Sequence, residues 1–378
     1  MRTLIAALAA GVLVVGLTPA AVASDSPPSS GPDVISAILP SHPLRKSPQP
    51  LPLTRAIRPL DVSYEYDGRR YTLKEFLDRS AAWGFVVVDG ESNEIVGDHY
   101  FASNPGTRFQ SWSASKGFVG TAVGIAVDEG HIDSIDDPVT KYVPELGTSG
   151  YDGVSIRDVL RMSSGITWTE PLNIPPVHLG AAAGIPVTEF AKRRRRGWEP
   201  GSRFEYSGMN SFVLAWLIGK ATGRPFYRYV EEKIWHPAGM ASDAVISRDH
   251  HGNDLGYCCF MATVEDYSRL GLLYLNNGRA GGRQVVSESW VRESTRPSAP
   301  FNEPDFENDD TGYGLHWWLG GGSHGDYLAS GFAGQKIYVS PRHGVVIAKS
   351  TLATVLTSDS EQLVAFRAIA AAVAASRG

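Results

Sequence analysis

The chain has 378 residues, of which 43% are hydrophobic and 20% are charged, the composition of an ordinary globular protein. Its formal net charge of −5 argues against general nucleic-acid binding, which usually requires a basic surface. After residue 20, no stretch approaches the ~18 apolar residues that a membrane-spanning helix needs. We therefore expect no nucleic-acid partner and no stable membrane insertion after signal cleavage.

The N-terminus is typical of a secretory signal peptide. Arg2 precedes the 14-residue apolar run LIAALAAGVLVVGL, and Ala21-Val22-Ala23 is a small-x-small cleavage pattern. These features predict a signal peptide over residues 1–23, cut after Ala23 or Ser24, with an uncleaved anchor as the alternative. We expect a protein that is secreted, periplasmic or exposed on the outside of the cell envelope.

The next segment, residues 24–58, is rich in proline and serine and shows no periodicity. This composition predicts a flexible linker or a wrap along the surface. Beyond it there is neither a second linker nor an internal repeat, so residues 59–378 are predicted to form one domain.

Within that domain, strands are predicted near both ends and helices in the middle. GFVVVDGESNEIVGDHYF (84–101) indicates a hairpin, residues 312–351 indicate three or four strands, and residues 361–375 indicate a helix. Because the intervening stretches are mainly helical, we predict an α+β fold: an antiparallel sheet built from both chain ends, with an inserted helical lobe.

The two cysteines, Cys258 and Cys259, are adjacent. A disulfide between neighbours closes a small strained ring and constrains little of the chain. Buried free thiols are therefore favoured over a vicinal disulfide, and the fold is expected to depend on its hydrophobic core.

A possible nucleophile lies in the stretch SASKGFVGTAVGIAVDEGH (113–131), which is apolar on every side and predicts a buried central helix. Ser113 and Lys116 are three residues apart, hence on one face of its N-terminal end. Burial and the positive end of the helix dipole should lower the pKa of Lys116. A neutral amine beside a hydroxyl can take its proton and create a nucleophile. The alternative is a capping serine with a lysine that reaches out to solvent.

Several motifs accompany this stretch in a fixed order. The segment FQSWSASKGFVGTAVGIAVDEGHIDSIDDPVTKYVPEL resembles the surroundings of the nucleophile in the serine β-lactamase and penicillin-binding-protein superfamily. It is most similar to the class C-like branch that includes 6-aminohexanoate-oligomer hydrolases and related esterases. Further matches are SIRDVLRMSSGITW (155–168), EPGSRFEYSGMNSFVLAWLIGKATG (199–223), HPAGM (236–240), FMATVEDYSRLG (260–271) and SGFAGQKIYVSP (330–341). The resemblance covers about residues 80 to 375 and implies the β-lactamase/transpeptidase-like fold.

The resemblance also implies roles for individual residues. Ser113 would be the acylated nucleophile, Lys116 the amine that activates it, and Tyr206 the catalytic tyrosine that carries a proton to the leaving group. Ala329, Ser330 and Gly331 align with the family's Lys/His-Thr/Ser-Gly motif, and Ser330 and Gly331 would contact the substrate. The backbone N–H groups of Ser113 and Phe332 would form the oxyanion hole.

Three departures from the family pattern concern the substrate. Gly208 stands where the family usually has Asn or Ser, two positions after the tyrosine, and Asn210 is a candidate substitute that would bind substrate. The W-x-E-x-Y pattern of the amide-hydrolase branch is incomplete here: Trp168 and Glu170 are present, but Leu172 stands in place of the tyrosine. Ala329 removes the cation of the third motif, although Lys336 and Arg342 are candidates to restore it.

Three other signals receive structural interpretations. Gly321-Gly322-Ser323-His324-Gly325 matches the G-x-S-x-G elbow of another hydrolase fold, but it lies between two predicted strands and is predicted to be a hairpin loop. Residues 249–251 (Asp-His-His) lack further ligands at metal-site spacing. The basic run 192–196 is predicted to be a solvated helix end, with a position bordering the cleft as the alternative.

Together with the resemblance, these observations predict an exported serine hydrolase that cleaves a small-molecule ester or amide through an acyl-enzyme on Ser113, without a metal or organic cofactor. The alternatives are a β-lactamase, a D-alanyl-D-alanine carboxypeptidase, and a non-catalytic module that binds cell-wall peptide.

Overall fold

A computed structural model describes residues 38–304, 311–351 and 355–377. The predicted signal peptide and the first part of the Pro/Ser-rich segment lie outside the described residues. No helix in the described part of the chain is both long and apolar enough to cross a membrane.

The strands belong to one large sheet, a four-stranded sheet and two small hairpins. Their bounds are β1 Ser41–Leu44, β2 Thr54–Arg55, β3 Ser63–Tyr66, β4 Arg69–Thr72, β5 Gly84–Asp89, β6 Glu94–Tyr100, β7 Phe109–Gln110, β8 Ala244–Ser247, β9 Phe260–Ala262, β10 Arg279–Ala280, β11 Arg283–Gln284, β12 Thr311–Tyr313, β13 Trp318–Gly320, β14 Tyr327–Gly331, β15 Gln335–Ser340 and β16 Val345–Ser350.

Most of the α-helices lie between β7 and β12, and one follows β16. Their bounds are α1 Leu73–Arg79, α2 Lys116–Asp128, α3 Ile156–Leu160, α4 Glu170–Ala182, α5 Val187–Lys192, α6 Gly208–Thr222, α7 Phe226–Val230, α8 Val264–Leu275, α9 Glu288–Ser294 and α10 Asp359–Ala375.

The large sheet joins the two ends of the domain. Its strand order is β12-β13-β14-β15-β16-β5-β6-β2, and its pairs are antiparallel except for the parallel pair of β2 and β6. The hairpin of β5 and β6 comes from the N-terminal side, and β12 to β16 come from the C-terminal side. The predicted α+β architecture, with a helical lobe inserted between the two halves of the sheet, is confirmed.

The sheet is covered on both faces. Along β5, Val86 and Val88 pack into the core under the helical lobe, while Phe85 and Val87 pack into a second core with α10. Because successive side chains of a strand point to opposite faces, a strand buried on both sides reads as a continuous apolar run. This explains the sequence GFVVVD.

The central helix α2 is enclosed by the lobe and by the sheet. Its residues from Lys116 to Ala126 are buried, and it packs against α6. A Cβ atom at Gly124 would lie 2.5 Å from ring atoms of Trp290, so glycine is required for the indole to approach the helix backbone. The predicted buried helix is confirmed, with its first α-helical residue at Lys116.

The described part of the Pro/Ser-rich segment wraps along the domain surface. β1 pairs with β8, β2 pairs with β6, and the carbonyl of Leu51 accepts hydrogen bonds from the buried guanidinium of Arg269. Composition alone did not predict these strands, because they depend on the edges that the folded domain offers.

Candidate active site

The nucleophile candidate lies in a tight turn between β7 and α2. Residues 112–115 form a short 3₁₀ turn, and Trp112 has a φ of 45°, a left-handed conformation that costs a residue with a side chain about 1–2 kcal/mol. The side chains of Gln110 and Ser111 both donate to the carbonyl of Cys258, and Ser115 donates to the carbonyl of Gly256. The loop before β9 therefore holds the turn on both sides of Ser113.

Lys116 contacts Ser113 directly. Its Nζ lies 2.9 Å from Ser113 Oγ and 2.9 Å from the carbonyl oxygen of Tyr257. The lysine is only 2% exposed, and this burial lowers its pKa to about 8 because the charged form loses its hydration. The predicted direction of the shift is confirmed. At this pKa about a tenth of the lysine is neutral at pH 7, enough to serve as a base.

Tyr206 completes the cluster. Its hydroxyl faces the side chain of Ser113, and the Nζ of Lys116 lies 4.9 Å from the centre of its ring. The ring stacks on Trp318 at 5.5 Å and meets Tyr313 edge-on at 6.1 Å. Burial, with a smaller contribution from the charge of Glu170, raises the pKa of Tyr206 far above its ordinary value. The phenol therefore carries its proton at neutral pH.

The third motif lies on β14, beside the nucleophile turn. A Cβ atom at Gly331 would lie 2.4 Å from the carbonyl oxygen of Ser111 and 3.1 Å from the nitrogen of Ala114, so only glycine lets the strand come this close. Phe332 follows, and its ring meets Trp112 edge-on at 5.7 Å. The backbone of Phe332 is thus next to the turn that carries Ser113, and its oxyanion role stays a prediction.

A cation does reach this motif, from the neighbouring strand. Lys336 on β15 is the register partner of Ser330, and its ammonium donates to Ser330 Oγ and to Asp359 Oδ1, the latter at 2.7 Å. Its side chain is 1% exposed, so Lys336 polarises the Ser330 hydroxyl from the buried side of the strand. Arg342, the other candidate, is exposed in the turn after β15.

Asn210 is not at the cleft, which corrects its prediction as a substrate-binding residue. It is fully buried, and its Oδ1 accepts hydrogen bonds from Tyr151 at 2.9 Å and Ser164 at 2.8 Å. From the first turn of α6 its side chain points into the lobe, where it satisfies other buried polar groups.

Glu170 occupies the space beside Gly208, where the family usually has an Asn or Ser side chain and where Asn210 was the predicted substitute. It is the first residue of α4, and its Oε2 accepts hydrogen bonds from the backbone N–H of Gly208, at 2.7 Å, and from the indole N–H of Trp168. A Cβ atom at Gly208 would lie 2.9 Å from Glu170 Oε1. From the sequence, Glu170 was only part of the incomplete W-x-E-x-Y pattern. The feature that could have indicated its contact with Gly208 is that the glutamate of this pattern is present while position 208 has no side chain.

Cys258 and Cys259 are joined in a disulfide, so the expectation of free thiols is wrong. A ring between neighbouring cysteines constrains little of the chain, but this does not prevent the bond from forming. His178, Cys258 and Cys259 each place a ligand atom within 4.8 Å of the others. With both sulfur atoms bonded to each other, the neutral imidazole is the ligand that remains, which is too few for a metal site. Burial lowers the pKa of His178 to about 4.

The remaining sequence signals have structural roles. Ser323 is exposed in the 3₁₀ turn Gly322–His324 between β13 and β14, with no helix after it. The buried carboxylate of Asp249 accepts hydrogen bonds from the backbone N–H groups of Val187, His251 and Asn253, so it organises a loop. In the basic run, the guanidinium of Arg194 lies 5.5 Å from the ring centre of Trp168, whose indole N–H donates to Glu170.

Comparison with known proteins agrees with this arrangement. The family model described as Beta-lactamase matches residues 70–374. The chain belongs to the beta-lactamase family. The 6-aminohexanoate-dimer hydrolase of Paenarthrobacter ureafaciens is 31% identical to it over 294 residues, which cover 73% of this chain and 74% of that protein.

Solved structures show the same fold. A putative 6-aminohexanoate-dimer hydrolase from Bacillus anthracis superposes with a TM-score of 0.77 at 21% identity, covering 91% of this chain and 92% of that one. A D-stereospecific amidohydrolase from Streptomyces sp. superposes with a TM-score of 0.57 at 19% identity, covering 75% and 94%. These structures show the β-lactamase/transpeptidase-like fold, as predicted, and the family match and the 31% identical relative place the chain among the serine hydrolases of that family.

Proposed function

We propose that this chain is an exported serine hydrolase that cleaves a neutral ester or amide through an acyl-enzyme on Ser113. The observation that carries the proposal is the contact of 2.9 Å between Lys116 Nζ and Ser113 Oγ, in a site where burial lowers the pKa of the lysine to about 8. Export rests on the signal-peptide pattern of residues 1–23.

The reaction follows from the protonation states of the three side chains. Neutral Lys116 takes the proton of Ser113, whose Oγ attacks the carbonyl carbon of the substrate. The N–H groups of Ser113 and Phe332 stabilise the oxyanion of the tetrahedral intermediate. Tyr206 protonates the leaving group, and Lys116 returns a proton to Tyr206. A water molecule then attacks the acyl carbon and gives a proton to Lys116, and that proton passes to Ser113 Oγ as the bond between the acyl group and the enzyme breaks.

The charges around the site favour a neutral substrate. Lys336 is buried and paired with Asp359, so an anionic acyl donor would meet the Ser330 hydroxyl instead of a free cation. Glu170 adds a negative charge that acts on Lys116 and Tyr206 and repels a carboxylate. The exposed ring of Phe332, 68% accessible, and the neighbouring Trp112 offer apolar surface to an uncharged group. The names of similar proteins support the ester or amide class, since they include a 6-aminohexanoate-dimer hydrolase, a D-stereospecific amidohydrolase and a carboxylesterase.

A fluorophosphonate probe tests the nucleophile. We expect one adduct, mapped to the peptide that contains Ser113, and no adduct in S113A. Labelling of Ser323 in place of Ser113 would overturn the proposal. A protein that takes no probe and turns over no ester or amide would favour the non-catalytic binding module.

One observation favours the rival activity of a β-lactamase or D-alanyl-D-alanine carboxypeptidase. The Ser330 hydroxyl, with the Lys336 ammonium behind it, can donate a hydrogen bond to a substrate carboxylate. The two proposed activities are distinguished by comparing kcat/KM for p-nitrophenyl butyrate and for a chromogenic cephalosporin. We expect the ester to be the better substrate, and the reverse order would establish the rival activity.

A further inference from the structure

Glu170 is a carboxylate beside the catalytic cluster whose charge no cation neutralises through an ion pair among the described residues. Its Oε2 accepts the N–H of Gly208 and the indole N–H of Trp168. No hydrogen bond to its Oε1 is formed within the described part of the chain. Gly208 lies two residues after Tyr206, so the carboxylate is anchored to the segment that carries the catalytic tyrosine.

The pair of Gly208 and Glu170 is sterically matched. A Cβ atom at position 208 would lie 2.9 Å from Oε1 and 3.3 Å from Oε2, both tighter than ordinary contacts. The space that a side chain at position 208 would occupy is filled by a carboxylate from α4. The family usually has the neutral side chain of Asn or Ser at this position, whereas this chain has a negatively charged carboxylate there.

That charge acts on both proton-transfer groups. It raises the pKa of Lys116, against the larger lowering by burial, and it raises the pKa of Tyr206 further. Among the described residues, Glu170 is the one acidic side chain whose charge acts on both.

The other titratable and charged groups that face the cluster do not offset the charge of Glu170. They are Tyr151, Tyr257 and Tyr313, whose pKa values are all raised far above the ordinary value by burial; His178 and His316, whose pKa values burial lowers to about 4 and about 3; and Arg194, whose charge acts on Tyr151. The tyrosines and histidines are uncharged near neutral pH, and the guanidinium of Arg194 lies over the ring of Trp168.

We propose that Glu170 is a positioning residue, which holds the Tyr206–Gly208 segment and stabilises the Lys116 ammonium that forms when Ser113 is deprotonated. The inference rests on the proposed acyl-enzyme function. Proton transfer from Ser113 to Lys116 creates a cation in a buried site, where an uncompensated charge is costly. The fixed carboxylate lowers that cost, and it disfavours a Tyr206 phenolate, so that Lys116 is the base and Tyr206 the acid.

The variant E170Q removes the charge and keeps an oxygen that can accept from Gly208. The test is the rate of Ser113 labelling by a fluorophosphonate as a function of pH. Without the carboxylate the pKa of Lys116 falls, so the neutral amine persists to lower pH and the acid limb of the profile moves down by about one pH unit. On the alkaline plateau the rate should fall about tenfold, because the ammonium is less stabilised.

Two further variants separate charge from packing. E170D keeps the charge and should keep the wild-type acid limb. E205Q, the same chemical change next to Tyr206 in sequence, should keep both the limb and the plateau, because Glu205 is directed towards Arg203. Thermal unfolding establishes that each variant is folded.

A wild-type protein that is not labelled at Ser113 would end the proposed function. A wild-type protein that is labelled, with an E170Q profile identical to it in limb and plateau, would overturn the role of Glu170 alone. If E170Q fails to fold, G208S provides the second route. Its side chain displaces the carboxylate, so the acid limb should move in the same direction, and an unmoved limb would overturn the inference.

Discussion

Two serines in this chain lie in patterns associated with hydrolases, and their surroundings differ. Ser113 lies at the start of a buried helix, 2.9 Å from a lysine whose pKa burial lowers to about 8. Ser323 lies in an exposed turn between two strands of the sheet. A hydroxyl becomes a nucleophile through the buried base beside it, so the short pattern around each serine is less informative than what packs against it.

The strongest test of this contrast is the removal of the Ser113 hydroxyl. S113A should lower kcat/KM for a p-nitrophenyl ester by a factor on the order of 10⁴ or more, since no acyl-enzyme can form. Steady-state kinetics on the purified protein measure the loss. A residual rate within tenfold of the wild type would mean that another group is the nucleophile.

Replacement of the base is the next test. In K116R the guanidinium stays protonated at every relevant pH, so we expect a loss of about 10³-fold. In the wild type, activity should rise as pH increases through about 8, because only the neutral lysine accepts the serine proton. An arginine variant with a near-normal rate, or a flat profile between pH 6 and pH 9, would contradict the role of Lys116.

The close approach of β14 to the nucleophile turn is tested by G331A. The added methyl group would meet the carbonyl oxygen of Ser111 at 2.4 Å, so the strand must move away and carry Phe332 with it. We expect about a 10²-fold loss in kcat with less effect on KM, as for the loss of an oxyanion donor. G325A, in the exposed turn after Ser323, adds a methyl group in open space at a φ of 65°. It should cost about 1 kcal/mol of stability and leave kcat unchanged.

The cation behind Ser330 is expected to have a smaller effect. K336M replaces a buried ammonium with an apolar side chain of similar length, which leaves Ser330 unpolarised. We expect a loss of about tenfold in kcat/KM, since a hydrogen bond to a charged group is worth ~1.5–3 kcal/mol at most. A loss confined to anionic substrates would show that Lys336 serves carboxylate binding.

The smallest effect belongs to the exposed serine. S323A should change kcat/KM by less than about twofold, as is usual for a surface substitution away from the reacting atoms. The same ester assay provides the comparison with S113A. A large loss here would reverse the contrast between the two serines.

Local sequence patterns predicted many of the secondary-structure elements and the placement of the proposed nucleophile and base. The hairpin of β5 and β6 follows from two β-branched runs around a turn, and α10 follows from helix propensity. The i, i+3 spacing of Ser113 and Lys116 places both on one face of a helix whatever surrounds it. The position of Tyr206 came from the family resemblance, since nothing local distinguishes it from a core tyrosine.

Tertiary structure decided what depends on residues distant in sequence. Whether Lys336 reaches Ser330 depends on the register of β14 and β15, because a shift of one residue turns the side chain to the other face. Asn210 turned out to serve the core, because Tyr151 and Ser164 supply its partners there. Glu170 meets Gly208 across 38 residues of sequence. The sequence alone determined which residues are neighbours along a helix or strand, whereas burial and strand register, which arise from packing of distant segments, decided which of them share one site.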